Sequence, residues 1–282
     1  MSILTSLRSA LACALVSVLA LPAAAETPVP KAIEGQGYRL VKNWDFRSSI
    51  RDMAALKREF HTRFIYEDGK LDRLNDEWQR YRDNDNHQFE DGGLSLVAKV
   101  VGGLKPGGIE SGMLRSKWTG QYGYIEARVQ VPRGRGLWPA FWLNPEDKVW
   151  PPEIDIMEIV DNGRDGTRNS FHYVHGKGPR KTKTEATRLD KFGSYRSAGT
   201  DFADGFHTFA VEWTEDRVKH FVDDVLVVDR SYAWEHDNGR DAGPAHVLIN
   251  LAVGGKWPGP PDDSTVFPAR LKVDYIRVWQ KK

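Results

Sequence analysis

The sequence is poor in cysteine, in charge imbalance and in long apolar runs, and each shortage closes off a class of protein. Its single cysteine, Cys13, lies near the start of the 282-residue chain. Internal disulfide staples are therefore excluded, and the body of the chain has no thiol nucleophile. Forty Lys and Arg face 39 Asp and Glu, so no global field draws the protein to nucleic acid or to an anionic membrane. The apolar run from Ser9 to Leu21 is too short for a comfortable bilayer span. Repeats, Ser/Gly-rich hinges and low-complexity tracts are missing too. A 28% charged and 40% hydrophobic composition fits a globular chain rather than a disordered or polytopic one.

What is abundant is aromatic. Ten Trp, nine Tyr and twelve Phe exceed the usual demand of packing, and flat stacking plates are one use for the surplus.

Residues 1–25 read as a secretory signal. Arg8 is the only charge, the apolar run follows, and Ala23-Ala24-Ala25 ends it with small side chains before Glu26. The expectation is a secreted protein, extracellular or periplasmic, that is free of the membrane after cleavage. Loss of Arg8 and Cys13 leaves a thiol-free chain with 39 acidic residues and as many basic ones. Residues 26–37, with Pro28 and Pro30, read as a partly mobile linker. Residues 38–282 then form one domain, expected to be monomeric.

Most of that domain reads as strands. Tyr38–Phe46, Leu94–Val101, Gly123–Val131, Leu137–Leu143, Glu153–Val160 and Asn169–His175 are apolar or alternating runs. So are His207–Trp213, Arg217–Val228, Val247–Ala252 and Leu271–Gln280. Punctuators such as Asp91-Gly92-Gly93 and Asp223-Asp224 separate them. Only Ser48–Phe60 departs, with Ile50, Met53, Leu56 and Phe60 at helical spacing behind a Ser cap. Many short strands with a single helix predict an all-β sandwich of two antiparallel sheets.

The richest chemistry lies in Glu153-Ile154-Asp155-Ile156-Met157-Glu158. Period-two geometry places Glu153 and Asp155 on one face and throws Glu158 to the other. A one-residue β-bulge around Met157 restores Glu158 to the carboxylate face. The two Glu α-carbons are then ~13 Å apart, and leaning side chains can close to the ~5–5.5 Å of a retaining glycosidase. Acids that interrupt an Ile/Met/Val strand are costly unless they have work to do. Catalysis by paired carboxyls is one reading of them, and a calcium or magnesium site is the other.

The same string resembles the catalytic signature of glycoside hydrolase family 16, in its bulged, laminarinase-like form. Other blocks are similar to the family and in its order. They are Asp76-Glu77-Trp78-Gln79-Arg80-Tyr81, Ser111-Gly112-Met113-Leu114-Arg115-Ser116-Lys117, Gly123-Tyr124-Ile125-Glu126-Ala127-Arg128 and Gly136-Leu137-Trp138-Pro139-Ala140-Phe141-Trp142. Asn250-Leu251-Ala252-Val253-Gly254-Gly255-Lys256-Trp257-Pro258-Gly259 and Val273-Asp274-Tyr275-Ile276-Arg277-Val278 complete the set. The resemblance covers roughly Tyr38 to Gln280. It implies a concanavalin-like β-jelly roll with a concave glycan cleft, Glu153 as nucleophile, Asp155 as its assistant and Glu158 as acid/base. It further implies a structural calcium site on the convex face with Asp274 as a ligand, and no cofactor in the chemistry.

Trp138 and Trp142 share one strand face and, by the resemblance, line the cleft as sugar platforms. Trp257, in a Gly/Pro surface turn, is read the same way, while Trp118 is undecided between core and cleft. His172, on the next strand, is a neighbour of the acid/base by resemblance and a satisfied structural His otherwise. From Arg164 to Arg196 the chain holds nine basic side chains against three acidic. That stretch is either a wet surface or a lure for an acidic glycan. The expected activity is retaining endo-hydrolysis of β-1,3 or mixed β-1,3/1,4 glucan. Action on an acidic exopolysaccharide or galactan, transglycosylation, and a non-catalytic glycan-binding module are the alternatives.

Overall fold

The computed structural model describes residues 27–160, 170–175, 190–196 and 201–282, the two middle stretches as backbone strands alone. In chain order the first strands are β1 (Tyr38–Asp45), β2 (Phe60–His61), β3 (Gln79–Tyr81), β4 (His87–Glu90), β5 (Gly93–Val100), β6 (Ile109–Ser111), β7 (Met113–Gly120) and β8 (Gly123–Gln130). Then come β9 (Leu137–Pro145), β10 (Ile154–Glu158), β11 (Ser170–His175), β12 (Asp190–Arg196), β13 (His207–Trp213), β14 (Arg217–Val222), β15 (Val225–Ser231), β16 (Ala245–Val253) and β17 (Ala269–Lys281). A helix, α1 (Met53–Glu59), leads directly into β2.

Two sheets stack face to face. The larger runs β15-β14-β13-β8-β17-β5-β6-β3, with β1 on the far half of β17 and β4 on β5. The smaller runs β10-β9-β16-β7-β2, and β11 pairs with β12 beside β10. Pairing is antiparallel except between β3 and β6. Alternation explains the layering. On β8, Ile125, Ala127 and Val129 enter the inter-sheet core, where they meet Phe141, Ile154, Ile156 and Ile249 of the smaller sheet. The expected run Arg217–Val228 is a hairpin instead of one strand. Asp223 and Asp224 both take positive φ, 48° and 63°, the geometry of a two-residue turn matched to strand twist.

Three expectations change. The helix is capped by Asp52, whose carboxylate accepts from Ala55 N at 2.7 Å, and it is shorter than Ser48–Phe60. Within the expected linker, Ile33 is fully buried on the convex face against Tyr38, Tyr124, Phe221 and Trp279. Asp274 does not fit a calcium ligand. Its oxygens are occupied by Arg47 Nε at 2.7 Å and Arg128 Nη1 at 2.5 Å, and both guanidiniums lie against the Phe206 ring. Two cations already neutralise the carboxylate, and among the described residues no group of three or more His, Cys, Asp or Glu could hold a metal ion.

Candidate active site

β10 carries the carboxylates because its register breaks where the sequence requires it. Asp155 pairs with Trp142 of β9, Met157 with Phe141 and Glu158 with Ala140. Ile156 is the extra residue of a β-bulge, one position before the expected site. Asp155 and Glu158 therefore share the face of Trp142 and Ala140, while Ile156 and Met157 lie in the core. At the bulge the Asp155 carbonyl accepts from His220 Nε2 at 3.1 Å, reaching across from β14. Burial pushes the His220 imidazole down to about 3, so it stays neutral and its one proton sits on the nitrogen facing Asp155.

Glu153 precedes the strand and joins the same pocket, which Asp155, Glu158, Trp138, Trp142, Asn250, Phe64 and Glu77 also line. Asp155 and Glu158 are nearly inaccessible, at 3% and 7% exposed. Trp150 Nε1 donates to Glu153 Oε2 at 3.2 Å, and Trp138 Nε1 donates to Glu158 Oε1 at 3.0 Å. Each Glu is thus held by its own indole. Burial raises the Glu153 carboxyl well above the usual range, against the pull of hydrogen bonds from Trp150 and Asp155. A hydrogen bond between two carboxyls needs one shared proton. With that proton on Asp155, Glu153 can remain ionised beside it.

The floor is fixed by a second set of bonds. Trp142 Nε1 donates to Asn250 Oδ1 at 2.7 Å, and Asn250 Nδ2 donates to the Tyr81 hydroxyl at 2.9 Å. Trp142 is 6% exposed with Phe64 over it, so it is a floor residue rather than the free platform expected. Trp138 and Trp257 do come together, edge to face at 4.7 Å and 89°, with Trp257 36% exposed at the rim. Their loop is set by Gly254. Its φ is +73°, and a Cβ there would sit 2.4 Å from the Trp78 ring, so only glycine fits.

Of the other expected residues, Asp274 lies on the convex sheet, away from this pocket. His172 is placed on β11, but its side chain is outside the described residues, as is most of Arg164–Arg196. Trp118 packs edge-on against Trp44 at 6.1 Å, beside the core. Sequence reasoning missed four contributors. Trp150 and Asn250 stood next to or inside quoted blocks, and Glu77 within one. Glu77 is 4% exposed, its carboxyl is raised to about 7 by burial, and it accepts from Gln79 Nε2 at 2.5 Å. Only His220 had no local signal, because a cross-sheet contact leaves none.

A family model described as "Glycosyl hydrolases family 16" matches residues 74–277. Among curated relatives, the chain is 37% identical over 184 residues to a beta-glucanase of Rhodothermus marinus, covering 59% of each chain. It is 35% identical over 176 residues to an endo-1,3-1,4-beta-glycanase of Rhizobium meliloti, covering 60% of this chain and 33% of that one. The chain thus spans three fifths and one third of those relatives' lengths. Among solved structures, the laminarinase catalytic domain of Thermotoga maritima superposes with a TM-score of 0.68 at 30% identity, covering 87% of this chain and 99% of that one. The endo-beta-1,3-glucanase of Pyrococcus furiosus gives 0.68 at 29% identity, covering 86% and 94%.

Proposed function

The chain belongs to glycosyl hydrolase family 16, and from that membership we propose that it is a secreted, retaining endo-β-glycanase of β-1,3 or mixed β-1,3/1,4 glucan. The observation that carries the reading is the bulged strand, which gathers Glu153, Asp155 and Glu158 into one pocket with an indole on each Glu. The relatives' activities on β-glucans support the substrate class.

In this reading Glu153 Oε attacks the anomeric carbon while Glu158 passes its proton to the leaving glycosidic oxygen. Glu158, now a carboxylate, takes a proton from water, and that water displaces Glu153 from the sugar. Asp155 supplies a hydrogen bond to the Glu153 carboxylate and lets it go as the ester forms. The Trp138 N–H faces Glu158 and fixes its rotamer, and the Trp138–Trp257 pair gives the sugar an apolar edge. No step calls on a metal.

The test is to follow the anomeric configuration of fresh product by NMR during hydrolysis of a soluble β-1,3-glucan. Retention supports double displacement, and net inversion refutes it. Binding of glucan with no release of reducing ends from any β-glucan, galactan or acidic polysaccharide would instead make the protein a glycan-binding module. Cleavage confined to acidic or galactan substrates would move the substrate class, not the mechanism.

A further inference from the structure

Beyond the carboxylates the concave face continues across β9 and β16 to β7. Ala140, Asn250 and Met113 form one row across these strands, and Trp142, Leu248 and Arg115 form the next. Opposite them on β10 stand Glu158 and Asp155, so the rows lead straight away from the acids. An open sheet would offer a long glycan track along these rows, but this one is covered.

The cover is the segment 62–75. Phe64, 1% exposed, sets its ring against Trp142 at 6.1 Å and against Tyr81 at 5.6 Å. It belongs to a cluster with Met113, Ala140 and Leu248, and Tyr66, Leu71 and Leu74 pack on it. Polar pegs hold the segment down. Asn144 Nδ2 donates to the Tyr66 hydroxyl at 3.0 Å, and Arg115 Nε donates to the Arg63 carbonyl at 3.2 Å. The Asp72 carboxylate accepts from Arg80 at 2.8 Å and Arg82 at 3.1 Å, and its carbonyl accepts from Tyr81 N at 2.8 Å. Phe64 and Leu74 line the same pocket as the three carboxyls.

We infer that this segment is a wall that ends the cleft on the β7 side and limits how much glycan the enzyme can hold there. Phe64 stands on Trp142 of β9, one strand spacing from β10, and shares a cluster with Leu248 of β16, two spacings away. That is ~5–10 Å, room for about one or two pyranose rings. Beyond them the glycan must leave the floor, because the buried Phe64 fills the space over Trp142 and the half-buried Leu74 beside it offers no partner for a hydroxyl. The short floor left open is polar by contrast, with Asn75, Asn250 and Glu77 around it. The consequence is an asymmetric set of sugar contacts, short on the walled side and set by a rigid segment. The inference rests on the glycanase reading and adds where the substrate stops.

The experiment is subsite mapping with β-1,3-gluco-oligosaccharides of increasing length, each labelled at its reducing end. For wild-type enzyme, kcat/KM for a given bond should stop rising once roughly two units occupy the walled side. Steady gains over four or more units on both sides of the scissile bond would overturn the wall. The variant Phe64→Ala, alone and with Leu74→Ala, should extend the dependence by at least one further unit and shift products toward longer fragments. An unchanged map in a folded variant also counts against the wall, and if the variants do not fold the wild-type map decides alone. A ladder that is not cut at all, with β-glucan polymers also intact, refutes the glycanase reading and removes the subsite limit with it.

Discussion

Replacing Trp150 by Phe keeps an aromatic ring at the cleft rim and removes one proton donor. In the native protein that donor, Nε1, lies 3.2 Å from Glu153 Oε2. Hydrogen bonds to charged groups contribute about 1.5–3 kcal/mol when well buried. Trp150 is 48% exposed, so water competes and the figure falls to about 1 kcal/mol. Since 1.36 kcal/mol is one pKa unit, loss of the bond raises the Glu153 carboxyl by about 0.7. The sign follows from charge. The indole N–H stabilises the carboxylate, so its removal favours the protonated acid, which cannot attack. On the acid limb, where activity falls tenfold per pH unit, Trp150→Phe should lower kcat/KM about fivefold. Above the limb the two enzymes should converge, because Glu153 is then ionised in both. The assay is kcat/KM on a soluble β-1,3-glucan from weakly acid to alkaline pH. An equal loss at every pH would mean that Trp150 is only a platform, and no loss at all would mean that its bond to Glu153 does nothing for the nucleophile.

The remaining expectations are more direct. Glu153→Ala should abolish turnover and regain it with azide, whereas Glu158→Ala should spare substrates with good leaving groups; equal losses on activated and natural substrates would contradict these roles. Trp257→Ala removes the exposed ring of the rim pair; if a sugar face on that ring gains as much as an aromatic pair, ~0.5–1.5 kcal/mol, KM should rise about two- to twelvefold with kcat little changed. Glu126 is 3% exposed and raised to about 7 by burial, so its contribution to stability is full below the ordinary Glu value and is lost as pH rises through 7. Glu126→Gln should therefore stabilise by up to about 3 kcal/mol at pH 8, less what Arg277 loses, and be neutral near pH 4, as read from urea unfolding. With Asp274 held by Arg47 and Arg128, neither chelator nor added calcium should move Tm or activity; a calcium-dependent rise in Tm would show that the arginines yield to the ion.

How far the sequence foretold the structure depends on the range of the interaction concerned. The bulge was legible because it is a parity problem. Three acids at Glu153, Asp155 and Glu158 cannot share a face without one extra residue, and the ladder supplies it at Ile156. Sheet class was legible from alternation, as on β8. Contacts between distant segments were not. Trp142 has the spacing of a platform, but the cover that Phe64 provides comes from a segment more than seventy residues earlier. Asp274 sits in a family-like block, and its two arginines come from β8 and from the turn after β1. Ile33 lies in a Pro-containing stretch that reads as linker, and it is held by a hydrophobic patch assembled from five strands. In each case the local pattern was right about chemistry and silent about what would occupy it.

His220 shows why the site needs both sheets. A β-bulge gains its bend by taking a residue out of the ladder, and the backbone groups freed there must find other partners in a place that excludes water. The Asp155 carbonyl finds one in an imidazole that is 1% exposed on β14 of the opposite sheet. A lysine or arginine there would place a charge in the core, and a serine would not span the gap between sheets. A neutral histidine gives one aimed proton. Burial also takes its own titration far below that of the Glu153 carboxyl, so the brace stays neutral while that carboxyl titrates. The geometry of the bulge is therefore anchored from the opposite sheet.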